Sequence, residues 1–374
     1  MSTIPLSDHP LHRSLDTAIP AIQAAARLSR LVLQQNDKGT ISKEDHSPVT
    51  VADFAIQALL TASIHAIFPS DKFVGEESAN ALRTNPRLIE RVWGLLQVVG
   101  KDGGNIVVPE SQEHMCELID WCGKGAPDDM DRTWILDPID GTKTFVRGEM
   151  YAINMALLEN GVPVLSVVAL PLLSIDAQTP VNNDTRDPKG EDGGCILFAI
   201  NGHGTFVRPL SNKNIQPRRI PRHCDAITSL SDLKSVTCVS DLDSGIDSIH
   251  TMVAQQLGIQ NFPGCDLLGW VPRWAALALG LGNTTVWVYK DRGRKAKIWD
   301  HAGAVLLFEE TGGKVTDVDG RELDWAAGRK LSGNYGFVAA PKAVHGNVLQ
   351  VVWEVLRREG KGGFLGEIDQ KVDV

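Results

Sequence analysis

The sequence predicts a mixed helix-and-strand protein in two parts, the second of the α/β class. Three observations carry this. The chain has 374 residues, roughly twice the usual domain length. Strand-like and helix-like patterns alternate through residues 235–319. An Asn160-Gly161 pair stands between two apolar runs, the strongest short-range signal for a hairpin of adjacent strands.

The elements follow in order. Across residues 14–36, Leu15, Ala18, Ile22, Ala25, Leu28 and Val32 fall near helical spacing, with Pro20 marking the first turn. In "SPVTVADFAIQALLTASIHAIF", Pro48 interrupts any helix from upstream. Asp53 then stands at the start of a helix reaching Phe68, where a carboxylate meets the positive end of the dipole. "KFVGEES" reads as a short strand closing in a glycine turn, with Glu76 and Glu77 at its exit. "TWILD" is a strand that Pro138 stops, because proline brings no N–H to a ladder.

Two strands meet at Asn160-Gly161, and residues 176–194, rich in turn formers, make an exposed loop. "GCILFAINGHGTFVRPL" resumes the strands. Residues 210–234 form a basic, proline-containing connector, which sets domains at 1–209 and 210–374. Beyond it come "SVTCVS" (strand), "SIHTMVAQQLG" and "PRWAALALGLG" (helices), "TTVWVYK" (strand), "WDHAGAVLLFEETGG" (helix) and "KVTDV" (strand).

Composition narrows the function. An apolar share of 43% with 22% charged residues suits a soluble globular enzyme. A net charge of −9 argues against a nucleic-acid polymer as partner. It leaves room for a small anion where a cation reverses the local field. No basic segment leads into an apolar core at the start, and no apolar run is long enough for a membrane span. The six cysteines include no C-x-x-C pair, as expected of reduced thiols. A cytoplasmic protein without a membrane partner is expected.

The chemistry gathers in "WILDPIDGTKTFVRG", residues 134–148. Asp137 and Asp140 lie together at a strand end, where two carboxylates repel unless a cation lies between them. Hard oxygen donors favour Mg²⁺, Mn²⁺ or Ca²⁺. The amides of Gly141 and Thr142 can face the same place and hold a phosphate oxygen. Taken alone, D-x-x-D also fits an exposed, helix-capping turn. Asp53, Glu76 and Asp300, however, likewise stand at element boundaries, where ligands gather.

"VGEES", "WILDPIDGTKTFVRG" and "KIWDHAGAVLLFEETGGKVTD" resemble the three signature segments of the lithium-sensitive, magnesium-dependent phosphomonoesterases. That superfamily includes the inositol monophosphatases and fructose-1,6-bisphosphatases. "DHSPVTVADFAIQALL" and "KIWDHAG" resemble its 3′(2′),5′-bisphosphate nucleotidase branch most. The resemblance implies a layered fold, an N-terminal α+β domain and a C-terminal α/β domain, with metals at their junction. Glu76, Asp137 and the Ile139 carbonyl would hold one Mg²⁺; Asp137, Asp140 and Asp300 would hold a second; Glu76 would support a weaker third. Asp53 and Thr142 would orient and deprotonate the attacking water for an in-line displacement on phosphorus. The implied reaction takes the 3′-phosphate from adenosine 3′,5′-bisphosphate, in a monomer or homodimer. A phosphatase of the same fold acting on an inositol phosphate is the alternative.

Departures from the branch fall on the substrate side. "DLDSGID" puts Asp243 and Ser244 near an expected histidine. "GWVPRW" puts Trp270 and Arg273 where the branch carries serine and lysine, and Trp287 matches an expected arginine. Gly141, Thr142, Asp243, Trp270 and Arg273 are therefore the candidate substrate contacts. Arg273 would meet a phosphate with its planar fork. Trp270 either stacks on a ring or belongs to the core, and Trp287 belongs to the core. Glu77 is expected as a solvated neighbour of Glu76, and His301 as a satisfied structural histidine.

Overall fold

The computed structural model describes residues 6–43, 47–101, 106–127, 131–211, 215–241 and 244–366. Helix α1 (His12–Leu33) buries Leu15, Ala18, Ile22, Ala25, Leu28 and Val32 on one face. Pro20 lies inside this helix and not in its first turn. A proline ring removes the bond to the carbonyl four residues back, here that of Asp16, whose residue is exposed to water.

Strands β1 (Ile41–Ser42) and β2 (Pro48–Val49) pair as a small antiparallel hairpin leading into α2 (Val51–His65). Thr50 caps α2, and Asp53, in its first turn, accepts back from the Thr50 amide at 2.8 Å, a reciprocal capping box. Every residue of α2 from Val51 to Ile64 is buried, so the helix shows no single apolar stripe.

Between β3 (Lys72–Gly75) and β4 (Arg132–Asp140) lie α3 (Asn80–Thr84), α4 (Pro86–Lys101) and α5 (Gln112–Lys124). After α6 (Thr142–Arg147) come β5 (Ala152–Glu159), β6 (Val162–Leu170), β7 (Cys195–Ile200), β8 (Gly204–Pro209) and β9 (Arg218–Arg219). The seven strands β3 to β9 form one sheet in sequence order. The β3–β4 pair is parallel and the others are antiparallel. Asn160 (φ 51°) and Gly161 (φ 71°) make the two-residue turn between β5 and β6. Ile153, Met155 and Leu157 join the core of α1 and α2, while Ala152, Ala156 and Leu158 join the C-terminal core. Both faces are covered, which makes these strands unbroken apolar runs. The 176–194 loop is not wholly exposed: Asp187 is buried and accepts from the amides of Lys189 (3.0 Å) and Gly194 (2.8 Å).

The C-terminal elements are β10 (Val236–Thr237), α7 (Ile249–Gln256), β11 (Cys265–Asp266), α8 (Trp270–Ala278), β12 (Thr285–Trp287), α9 (Ala302–Glu309), β13 (Gly313–Thr316), β14 (Phe337–Pro341) and α10 (His345–Arg358). β12, β14 and β13 form an antiparallel sheet in that order, and β10 pairs in parallel with β11. Helix α9 packs on β5, β6 and β7 on one side and on β13 on the other. Helix α10, with α7 beside it, covers β14. The layers therefore run helix, sheet, helix, sheet, helix. No described helix is long and apolar enough to cross a membrane.

Candidate active site

Pro138 does not stop β4; it makes the strand bulge. In a regular strand, residues three apart point to opposite faces. Asp137 pairs with Asn154 and Asp140 with Ala152, so three steps on β4 oppose two on β5. The extra residue turns Asp140 toward the side of Asp137. Asp300 arrives from a short 3-10 turn, Ile298–Asp300, ahead of α9. One carboxylate oxygen from each of Asp137, Asp140 and Asp300 lies within 4.8 Å of the others.

The cluster is short of positive charge. Burial lifts Asp137 well above the usual carboxylate range, and Glu76, Asp140 and Asp300 add to the lift. Asp300 rises to about 8, through burial first and then Asp140. Asp140 rises to about 6 through burial, opposed by the Val271 amide. Its Oδ2 accepts from that amide at 2.8 Å, in the first turn of α8. The approach needs Gly269, where an added Cβ would lie 2.5 Å from the same oxygen. An all-oxygen, largely buried, under-neutralised donor set is what a hard divalent cation fits.

Glu76 follows β3, with Lys43 Nζ 2.7 Å and Lys297 Nζ 3.5 Å from its Oε1. Burial pushes Glu76 up, but the two ammonium groups outweigh it and hold the acid below its ordinary value. Glu77 is not the solvated neighbour expected. It is 4% exposed and accepts from Lys43 at 2.6 Å. Gln57 of α2 turns it inward, accepting from its amide and donating to its carbonyl at 2.9 and 2.8 Å. Nothing in the sequence pointed to Lys43, whose partners lie 33 and 34 residues away.

Asp53 Oδ2 accepts from the amide and hydroxyl of Thr50, while Oδ1 is buried with no partner among the described residues. Burial raises this acid to about 6 against the pull of Lys43. Thr142 donates its hydroxyl to the Ile139 carbonyl at 3.1 Å. Gly141 adopts φ 87° ahead of α6, a left-handed conformation suited to glycine.

A cavity of about 620 Å³ opens over these groups. Glu76, Asp140, Gly141, Thr142 and Asp300 line one side, and Trp270, Arg273 and Trp287 line another. Arg273 is 2% exposed and lies 4.2 and 4.5 Å from the centroids of Trp270 and Trp287. Its Nε and Nη2 donate to the carbonyls of Leu267 (2.7 Å) and Leu268 (2.9 Å), whereas Nη1 is buried without a partner among the described residues. The two tryptophans thus clasp the arginine, and Trp287 also stacks on His250 at 4.5 Å. His301 accepts from Trp274 Nε1 at 3.0 Å through Nδ1, but its Nε2 is buried with no partner among the described residues, so it is only half satisfied there. Asp243 lies outside the described residues.

The model of the inositol monophosphatase family matches residues 11–357. The chain belongs to this family. Members of the inositol monophosphatase family are generally metal-dependent, and the three-aspartate cluster is compatible with that. The 3′(2′),5′-bisphosphate nucleotidase of Emericella nidulans is 34% identical over 355 residues, covering 90% of this chain and 96% of the relative. The Schizosaccharomyces pombe protein of the same name is 34% identical, with 91% and 95% covered. Among solved structures, a Thermotoga maritima IMPase aligns with a TM-score of 0.58 at 22% identity, covering 92% of this chain and 99% of the other. An inositol monophosphatase from Anabaena aligns at 0.55 and 19% identity, covering 92% and 97%. The family's layered fold, expected from the resemblance, is the fold found.

Proposed function

We propose that this family member is a magnesium-dependent 3′(2′),5′-bisphosphate nucleotidase that converts adenosine 3′,5′-bisphosphate to AMP and phosphate. The reading is carried by one conjunction. Three aspartates converge within 4.8 Å in a chain that is 34% identical to relatives bearing that name. Asp137, Asp140 and Asp300, with Glu76 and the Ile139 carbonyl, would hold two or three Mg²⁺. Bound there, the ions stabilise the charge that develops on the attacking and leaving oxygens.

The chain's own groups do the rest. Asp53 Oδ1, buried and without a partner among the described residues, accepts the proton of the attacking water, and Thr142 orients that water. A carboxylate lifted to about 6 is a stronger base than an ordinary aspartate and is still ionised near neutrality. The amides of Gly141 and Thr142 receive the reacting phosphate, and Arg273 Nη1 is the donor left over for a second one. Trp270 offers a face to the base. The two domains, 1–209 and 210–374, meet at this cavity.

Phosphate release from adenosine 3′,5′-bisphosphate and from an inositol monophosphate, each with and without Mg²⁺, tests the reading. The bisphosphate should be the better substrate, and chelation should abolish its turnover. Efficient hydrolysis of the inositol ester with the bisphosphate ignored would overturn it. That second reading draws its support from Arg273, two of whose three nitrogens are already engaged by backbone carbonyls.

A further inference from the structure

One wall of the cavity comes from a single stretch, "KDRGRKAK" (290–297), with five cations in eight residues. Gly293, Arg294, Lys295, Ala296 and Lys297 line the cavity. So many like charges repel one another and favour an extended, solvated loop unless something ties it down. Arg292 does not line the cavity. Its guanidinium forks onto Asp319, with Nη1 3.2 Å from Oδ1 and Nη2 on Oδ2, and also donates to the carbonyl of Phe364. It lies 4.5 Å from the centroid of the Tyr335 ring.

Other contacts close the arrangement. Asp319 is buried and accepts from the Gly366 amide at 2.8 Å. The ring of Phe364 stacks on Tyr335 at 6.5 Å. The Tyr335 hydroxyl donates to the carbonyl of Tyr289, at the root of the loop. A forked arginine–carboxylate pair with one partner buried fixes direction as well as distance. None of Asp319, Tyr335, Phe364 and Gly366 lines the cavity.

We propose that residues 362–366, closed on Arg292 and Asp319, form a positioning clamp. It holds the cationic loop 293–297 over the cavity and so sets affinity for the second anionic group of the substrate. What the loop meets rests on the bisphosphate reading; what holds the loop does not.

The test uses full-length variants and two readouts. Asp319→Asn and Phe364→Ala open the clamp from opposite sides, and Phe364, only partly buried, can be cut back without emptying a core position. Hydrogen exchange of 290–297 should quicken about tenfold in both, with α9 and β14 unchanged. The KM for adenosine 3′,5′-bisphosphate should rise about tenfold with kcat nearly constant, while the KM for p-nitrophenyl phosphate, which has a single anionic group, stays put. Arg292→Lys, which keeps the charge and loses the fork, should show an intermediate rise. Unchanged exchange in 290–297, or exchange that quickens equally in α9, overturns the clamp. An equal rise in KM for both esters overturns its role in specificity. A wild type that ignores the bisphosphate defeats the nucleotidase reading, and the exchange measurement then decides the clamp alone.

Discussion

Asp300→Asn should make the metal-free protein more stable than the wild type, by a margin that grows from pH 6 to pH 8. Asp300 is held up to about 8 from an ordinary 3.8, by burial first and then by Asp140. A group whose folded pKa lies above its unfolded one stabilises the fold at low pH. It loses that contribution as pH rises toward and through the folded value. Between pH 6 and pH 8 the folded chain still largely holds this proton while the unfolded chain has already lost it. At about 1.4 kcal/mol per unit, one such group removes roughly 2 kcal/mol across that window. Asp300 faces a solvated cavity, so this is the upper end. With an unfolding entropy of about 2 cal/mol/K per residue, 374 residues turn it into roughly 3 °C of Tm. Thermal unfolding in EDTA at the two pH values measures the difference. Mg²⁺ engages the ionised set, so its Tm gain should grow from pH 6 to pH 8, and should grow less in the variant, which keeps only Asp137 and Asp140. Parallel losses in the two proteins, or a variant less stable at pH 8, would refute the account of a crowded, under-neutralised cluster.

Other outcomes follow from the same geometry. Asp137→Asn should abolish phosphate release and the Mg²⁺-dependent Tm gain while leaving the circular-dichroism spectrum native; normal turnover would remove Asp137 from the cation site. Li⁺, similar to Mg²⁺ in size with half its charge, should inhibit at millimolar order where few ligands hold the ion. Sodium and potassium salts at equal concentration are the controls, and indifference to Li⁺ counts against a weakly held ion. Gly269→Ala places a carbon 2.5 Å from Asp140 Oδ2, so carboxylate or helix must move. A displacement near 1 Å in such a site costs on the order of a hundredfold in turnover, and steady-state kinetics showing an unchanged kcat would mean that Asp140 needs no such approach.

The sequence made the acidic cluster legible because its members sit in short segments whose residue types are dictated by chemistry. Asp137, Asp140 and Asp300 converge as those segments imply. What stayed hidden was decided by distant partners. Pro20 looked like a helix start, because sequence alone does not say that the carbonyl it orphans faces water. Pro138 looked like a strand stop, since a bulge shows only in the register against β5. Glu77 looked solvated until Gln57 of α2 drew it inward. Helices α3 to α5 and α10 went unassigned, although α10 buries Val348, Val352, Leu356 and their neighbours along one amphipathic face. Arg273 was expected as a phosphate ligand; its place between two tryptophans came from two separate segments, α8 and β12, meeting in space.

Asp140 belongs to the carboxylate cluster and also accepts from the Val271 amide, a bond that spans 131 residues. The helix that presents Trp270 and Arg273 to the cavity is therefore hung from the carboxylate cluster itself. For anyone wishing to retarget the pocket, this divides α8 into adjustable and forbidden positions. The half-buried side chain at 270 can be exchanged for other shapes and charges, whereas buried Arg273 also holds the carbonyls of Leu267 and Leu268 and is not free to change. Position 269 must remain glycine, and position 271 must keep an N–H, which excludes proline. Grafting a whole helix from another member of the family would re-aim the aspartate along with the pocket, so a new substrate preference gained that way would arrive with an altered reaction centre.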